Sequence, residues 1–283
     1  MRPALPALLV GATFIALSPI FVRLSDVGPT ASAFWRVALA APLLWPLLLA
    51  TRRAGAASID WRLLAIAGFA FTGDLAFWHW SIQFTSVANS TLLANLAAPF
   101  VTIAVWVFWG RRPSPTFVLG LAGALLGVLM LVRSSLAFSA TALVGDAFGV
   151  ITALFYAAYL LSVKGLRDRG AATLFVMAMT STLTAVLLLP LAIASGEPLL
   201  PASAGGWLVL VGLAWISHCA GQGLIAYSLA DLPAAFSSVS LLFQPVMAAI
   251  FAWVLLSEPL SLLQLIGGAV VLAGIYLARR GAS

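Results

Sequence analysis

Apolar residues run through this chain for about 20 positions at a time, broken by short stretches of arginine, glycine, proline and serine. A helix needs roughly 20 apolar residues to cross a hydrocarbon core of ~30 Å, so each run reads as one span. Ten follow, over residues 5–24, 31–50, 62–82, 86–108, 115–133, 144–164, 172–194, 206–226, 233–254 and 260–279. The expected fold is an all-α membrane protein. The first run imitates a cleavable leader, because Arg2, an apolar stretch and the Ala31-Ser32-Ala33 triplet follow in that order. The run from Leu5 to Leu24 is too long for a leader and has an internal counterpart, so it is expected to remain as the first helix.

Composition excludes a soluble alternative. Hydrophobic residues make up 63% of the 283 and charged ones 8%, against roughly 45–50% and 25% in soluble proteins. The formal charge of +6 does not point to nucleic acid, because the basic residues gather in short loops and at the termini, as membrane topology requires. The bilayer is the expected partner. With a cytoplasmic N-terminus, the inner side holds Arg2, Arg52, Arg53, Arg62, Arg111, Arg112, Lys164, Arg167, Arg169, Arg279 and Arg280, and the outer side only Arg23, Arg36 and Arg133. That bias puts both termini inside. The lone Cys219 lies within an apolar run, so no disulfide framework exists and the thiol is expected to pack.

The chain also repeats itself. FVR at 21–23 and ASAFWR at 31–36 slide onto SVK at 162–164 and AATLFVM at 171–177 with an offset of 141. LLANLAAPFVTIAVWVF at 92–108 slides onto SLLFQPVMAAIFAWVLL around the shared prolines Pro99 and Pro245, with an offset of 146. The loop GEPLLPAS near 196–203 absorbs the difference of five. Residues 1–135 and 142–280 therefore form two five-helix repeats. An odd number of spans per repeat makes the second enter the membrane from the opposite side, and inverted repeats place a binding site near mid-depth between the halves.

These residues carry a resemblance. The two halves, closing on RRPSPTFVLGLAGALLGVLMLV at 111–132 and SEPLSLLQLIGGAVVLAGIYL at 257–277, resemble the EamA-type repeat of the drug/metabolite transporter superfamily over nearly the whole chain. Within it the chain looks most like the YddG-type bacterial exporters of aromatic and other amino acids. The resemblance implies a secondary transporter in a bacterial inner membrane exporting amino acids. The glutamate of the SEPLS turn is present as Glu258, but Arg112 replaces it in the first half, so any role for that acid is confined to the second repeat.

Polar residues inside spans should face the bundle interior or a wet cavity. At 100° per residue, Thr72, Ala76, His79 and Gln83 share one stripe of the third helix, with Trp80 about 80° away; Asp74, Trp78 and Ser81 share another. The first stripe maps onto His218, Gln222, Ile225 and Leu229 in the other half, and is expected to face the chamber. On the fourth helix, Thr91, Asn95, Ala98 and Thr102 share a face that maps onto Ser237, Leu241, Gln244 and Ala248. Pro99 and Pro245 should leave the carbonyls of Asn95 and Leu241 without helical donors. Ile15 and Ser18 map onto Tyr156 and Tyr159. Together these faces describe a neutral, aromatic, hydrogen-bonding chamber, in which His79, Asn95, Gln244 and His218 hold a zwitterion. His79→Ala is then expected to abolish uptake or reduce it strongly. Singly, such residues could as well join helices. Asp74 is either a proton carrier or the ion-pair partner of Arg36, and the pair is preferred because it removes the isolated-charge penalty.

Gly120, Gly123 and Gly127, and Gly267, Gly268 and Gly274, are expected to brace each half or to mediate a homodimer. Other metabolites or drugs are alternative cargoes, although a cation exchanger lacks an acid in the body of the first or sixth helix, Asp146 lying only at a margin. An intramembrane hydrolase is the rival of another class, but no GxSxG, HExxH or paired acidic metal site is present. No Walker loop or selectivity filter occurs, and no cofactor or metal is expected.

Overall fold

The computed structural model describes residues 3–51, 59–133 and 140–282. Arg2, Arg52 and Arg53, assigned above to the inner side, and positions 134 and 135 at the end of the first repeat lie outside the described residues. Ten helices follow in order: α1 (Ala4–Leu24), α2 (Pro29–Thr51), α3 (Trp61–Phe84), α4 (Asn89–Trp109), α5 (Pro115–Val132), α6 (Ala142–Asp168), α7 (Thr173–Ala194), α8 (Ala204–Ser228), α9 (Ala234–Leu255) and α10 (Leu262–Gly281). Nine of them are both long and apolar enough to cross a membrane. The other, α3, has 24 residues, about 36 Å of helix; its length suffices, but Arg62, Asp74, His79 and Gln83 dilute its hydropathy. Large side chains such as Phe69, Val107, Phe108, Leu208 and Leu262 stand exposed on the outside of the bundle, as lipid-facing surface should.

Helix starts are written into the sequence. Asp60 accepts hydrogen bonds from the backbone N–H groups of Arg62 and Leu63, and Ser86, Ser114, Ser203 and Ser261 cap the starts of α4, α5, α8 and α10. Four helices are bent, at Ala16–Leu17, Leu39–Ala40, Asn95–Leu96 and Leu241–Leu242. Each bend precedes a proline, Pro19, Pro42, Pro99 or Pro245, that cannot donate to the carbonyl four residues back. The expectation that this leaves the carbonyls of Asn95 and Leu241 open is corrected by the geometry. Ala98 N–H donates to the Asn95 carbonyl at 3.2 Å and Gln244 N–H to that of Leu241 at 2.9 Å. The chain tightens by one residue and keeps both carbonyls satisfied.

The two halves interlock rather than sit side by side. The major packing pairs are α5 with α10, α3 with α6, α4 with α6, α1 with α8, α2 with α7 and α3 with α7, each joining one half to the other, and α4 also meets α9. This pairing is what an inverted repeat gives: helices meet their own counterpart, or exchange partners with it. The glycine sets do not brace each half alone. A Cβ on Gly120 would lie 2.3 Å from the Ala278 nitrogen, and one on Gly127 would lie 2.6 Å from the Gly267 carbonyl oxygen. Gly120 and Gly127 on α5 thus seat directly on α10, and these faces are already occupied within one chain.

At one end the loops cross over between halves, forming a clasp. Glu197, in the loop after α7, accepts from Thr30 Oγ1 (3.0 Å), from the Ala31 backbone N–H (3.0 Å) and from Gln83 Nε2 (3.3 Å). Asp26, in the loop after α1, accepts from Ser203 Oγ at 3.0 Å beside the start of α8. Each half thereby supplies an acid to the positive N-terminal end of a helix in the other. Trp35 Nε1 adds a bond to the Leu199 carbonyl at 2.6 Å, and Arg23 pairs with Glu258 at 2.8 Å in solvent.

Candidate functional site

Between the halves, near mid-depth and displaced toward the clasp, lies a cavity of about 120 Å³. Its lining comes from α1, α2, α3 and α4 of the first half and α6, α8 and α9 of the second. The bends shape it: Ala16, Asn95 and Leu241, each at a break in its helix, all line the cavity. Asn95 donates from Nδ2 to the Thr91 carbonyl at 2.7 Å, which leaves Oδ1 as its free end. Gln244, the counterpart of Ala98 in the repeat alignment, also lines the space, as do Thr91, Tyr156 and Gln222. Those five expected residues are brought together.

The third helix is turned the other way from expectation. Asp74 and Trp78 line the cavity, with Phe71 and Leu75. His79 does not. It is fully buried, and its Nδ1 lies 2.7 Å from the Leu75 carbonyl, which can only accept, so Nδ1 carries the proton. Its ring packs edge-on against Trp78, with centroids 4.8 Å apart. Thr72 donates to the Gly68 carbonyl at 2.8 Å and serves the joint between α3 and α7, where Thr184 donates to the same oxygen. Gln83 is spent on Glu197 in the clasp, and Trp80 packs against Phe77 and Phe148. Ser237 is buried with its hydroxyl unpaired, outside the lining.

His218 also lies behind the cavity wall rather than in it. Its Nε2 meets Ser181 Oγ at 2.8 Å, and its ring stacks on Phe71 at 5.3 Å. Phe71 stacks in turn on Tyr159 at 4.6 Å, and Tyr159 on Tyr156 at 6.1 Å. A four-ring column therefore backs the site, with Phe71 and Tyr156 reaching the cavity and His218 and Tyr159 supporting them. The Gln222 side chain lies beside the phenols of Tyr156 and Tyr159 at this end of the column. Residues Leu213–Gln222 of α8, which carry His218 and Gln222, form a ten-residue π-helix. Such wide turns are rare and gather at functional sites.

The expected neutral chamber instead holds two ionisable side chains. Arg36 of α2, only 6% exposed, lines it together with Asp74. The direct Arg36–Asp74 ion pair is not formed: the ion pairs within 4.0 Å among the described residues are Arg23–Glu258, Lys164–Asp168 and Arg169–Asp60. The two side chains share the cavity from different helices. Sequence periodicity separated the Asp74 stripe from the His79 stripe; it carried no sign of which one faced inward, because both hold polar groups. The clue was the charge itself, since an ionised group at membrane depth belongs in a wet or paired setting.

Below the cavity, on the same α4, α6 and α9, a wider vestibule of about 730 Å³ opens among Arg111, Arg112, Lys164 and Arg169. On α4 the two spaces are one turn apart, from Ala98 to Thr102; on α6 they meet between Leu160 and Leu161. The two linings therefore come within one turn of helix of each other, at most about 6 Å along α4.

Comparison with known proteins agrees with this architecture. The EamA-like transporter family matches residues 2–133 and 143–280, one match in each half. A protein of Archaeoglobus fulgidus named as an uncharacterized transporter is 27% identical over 288 residues, spanning 97% of this chain and 94% of its own. A second from the same organism, with the same name, is 28% identical over 226 residues, spanning 78% and 77%. A solved crystal structure superposes with a TM-score of 0.83 at 18% identity, over 99% of this chain and 96% of the other, which shows a shared fold. With its two matched halves, interlocked helices and central cavity, the chain belongs to the EamA-like transporter family of the drug/metabolite transporter superfamily, and is a multi-pass membrane transporter.

Proposed function

We propose that the protein exports small amphipathic solutes, above all neutral and aromatic amino acids, by alternating access between the repeats 1–135 and 142–280. The observation that carries this reading is the shared lining: one cavity draws on four helices of the first half and three of the second. Any rocking of one half against the other must change which end of that cavity opens. The vestibule, whose lining comes within one turn of helix of the cavity's, supports it, because little movement separates the two spaces. The aromatic wall of Phe71, Trp78 and Tyr156 supports the cargo, as does the resemblance to amino-acid exporters. The basic vestibule faces the cytoplasm of a bacterial inner membrane, with both termini on that side.

The test is uptake and counterflow of labelled amino acids in proteoliposomes, with and without a proton gradient. Saturable movement of at least one neutral or aromatic amino acid is expected. Wild-type protein that moves none of the twenty would sink the cargo assignment.

A further inference from the structure

We propose that Arg36 and Asp74 are a split ion pair into which the substrate inserts, a clamp for the carboxylate and ammonium of one zwitterion. The inference rests on the transporter reading and names the recognition groups of the same cavity. Arg36 is buried to 6% exposure, and its Nε has no partner. Asp74 faces the same space, with no hydrogen bond to its side chain among the described residues and no nitrogen of Arg36 within 4.0 Å. A purely structural pair at this depth would close to direct contact, because each unpaired charge in a low-dielectric site is costly. These two stay apart on different helices, both on the lining of one cavity.

Their chemistry is complementary to an α-amino acid. The planar guanidinium matches a carboxylate with two parallel N–H donors. The Asp74 carboxylate only accepts, as an ammonium requires, and Asn95 adds a second acceptor, since its Nδ2 is already bound to Thr91 and Oδ1 is the free end. Around these groups the wall is Phe71, Leu75, Trp78 and Tyr156, which suits an apolar or aromatic side chain. A cavity of about 120 Å³ is a little under the size of roughly 150 Å³ that admits one benzene ring, so the site must widen to take a whole phenylalanine. A solute with one of the two charges leaves the opposite protein charge buried and unpaired, and sites that bond a polar group reject analogues lacking it.

Counterflow of labelled phenylalanine into proteoliposomes, measured against three unlabelled competitors, tests the clamp. The competitors are phenylalanine, phenethylamine, which lacks the carboxylate, and 3-phenylpropionate, which lacks the ammonium. Wild-type protein is expected to prefer phenylalanine at least tenfold over either half-molecule. Arg36→Gln should bring the amine within about twofold of phenylalanine, and Asp74→Asn should do the same for the acid. Equal competition by amine and zwitterion at the wild-type protein overturns the clamp, and this result needs no variant to fold. So does an unaltered tenfold preference in either variant. If the wild type carries a solute with neither an amino nor a carboxyl group but no amino acid, the clamp fails and transport stands; if it moves no solute at all, both fail.

Discussion

Gly120 and Gly123 sit three residues apart on α5 and would pass as one small-residue motif, yet the structure assigns them opposite sensitivities to alanine. A Cβ on Gly120 would lie 2.3 Å from the Ala278 nitrogen and 2.7 Å from the Gly274 carbonyl oxygen. Both are backbone atoms, so no side chain can rotate away and α5 must move off α10 by about 1 Å to restore ordinary contact. Overpacking of that kind costs about 1–3 kcal/mol, against a gain of about 1 kcal/mol from replacing a helical glycine. A Cβ on Gly123 would meet only Gly274 Cα at 3.8 Å, an ordinary contact. Gly123→Ala should therefore keep most of its propensity gain. Thermal unfolding of purified protein in one detergent, at one scan rate, compares the two. With about 2–4 °C per kcal/mol for a chain of this order of size, Gly120→Ala is expected to melt several degrees below wild type, and Gly123→Ala at or slightly above it. A Gly120→Ala protein as stable as the wild type, or an equal loss at both positions, refutes the packing argument.

Further outcomes follow from the cavity, the clasp and one turn. Asn95→Ala should raise the KM of a transported solute by about tenfold, the loss of one hydrogen bond of roughly 1–1.5 kcal/mol. His79→Ala should instead lower the melting temperature through the void it leaves, with KM within about twofold of wild type; proteoliposome kinetics beside a melting curve separate the two. Glu197→Ala removes the acceptor of three clasp hydrogen bonds and should destabilise by about 1–3 kcal/mol, read as an earlier melt that Glu197→Gln reproduces in part. Ser257 is the described non-glycine residue with a left-handed backbone, at φ 56°; Ser257→Gly should relieve about 1 kcal/mol and raise the melting temperature by a few degrees.

The spans and the repeat were legible because they rest on run length and parity, which survive errors in helix phase. The face of each helix was less so. On α4 and α9 the polar residues fall on one side, and Thr91, Asn95 and Gln244 do reach the cavity. On α3, polar groups stand on both sides, so periodicity separated the Asp74 and His79 stripes without saying which neighbours each would meet. On α8 the uniform rotation of 100° fails, because the π-helical stretch at Leu213–Gln222 advances less per residue. His218 accordingly turns behind the wall, whereas Gln222 reaches it. Pro99 and Pro245 do remove the usual donors to the Asn95 and Leu241 carbonyls; their capture by Ala98 and Gln244 depends on a local tightening that no spacing rule predicts.

The exchanged acids of the clasp separate two units that sequence similarity would equate. The repeat unit is the half-chain, but each half-chain lends a carboxylate to a helix start of the other, Glu197 to the backbone of α2 and Asp26 to Ser203, the residue that caps α8. The repeat unit is therefore held by hydrogen bonds that it does not itself contain. A chain severed between α5 and α6 yields fragments that reach a native state only by finding one another, and two copies of one fragment could do so only if they met head to tail across the bilayer.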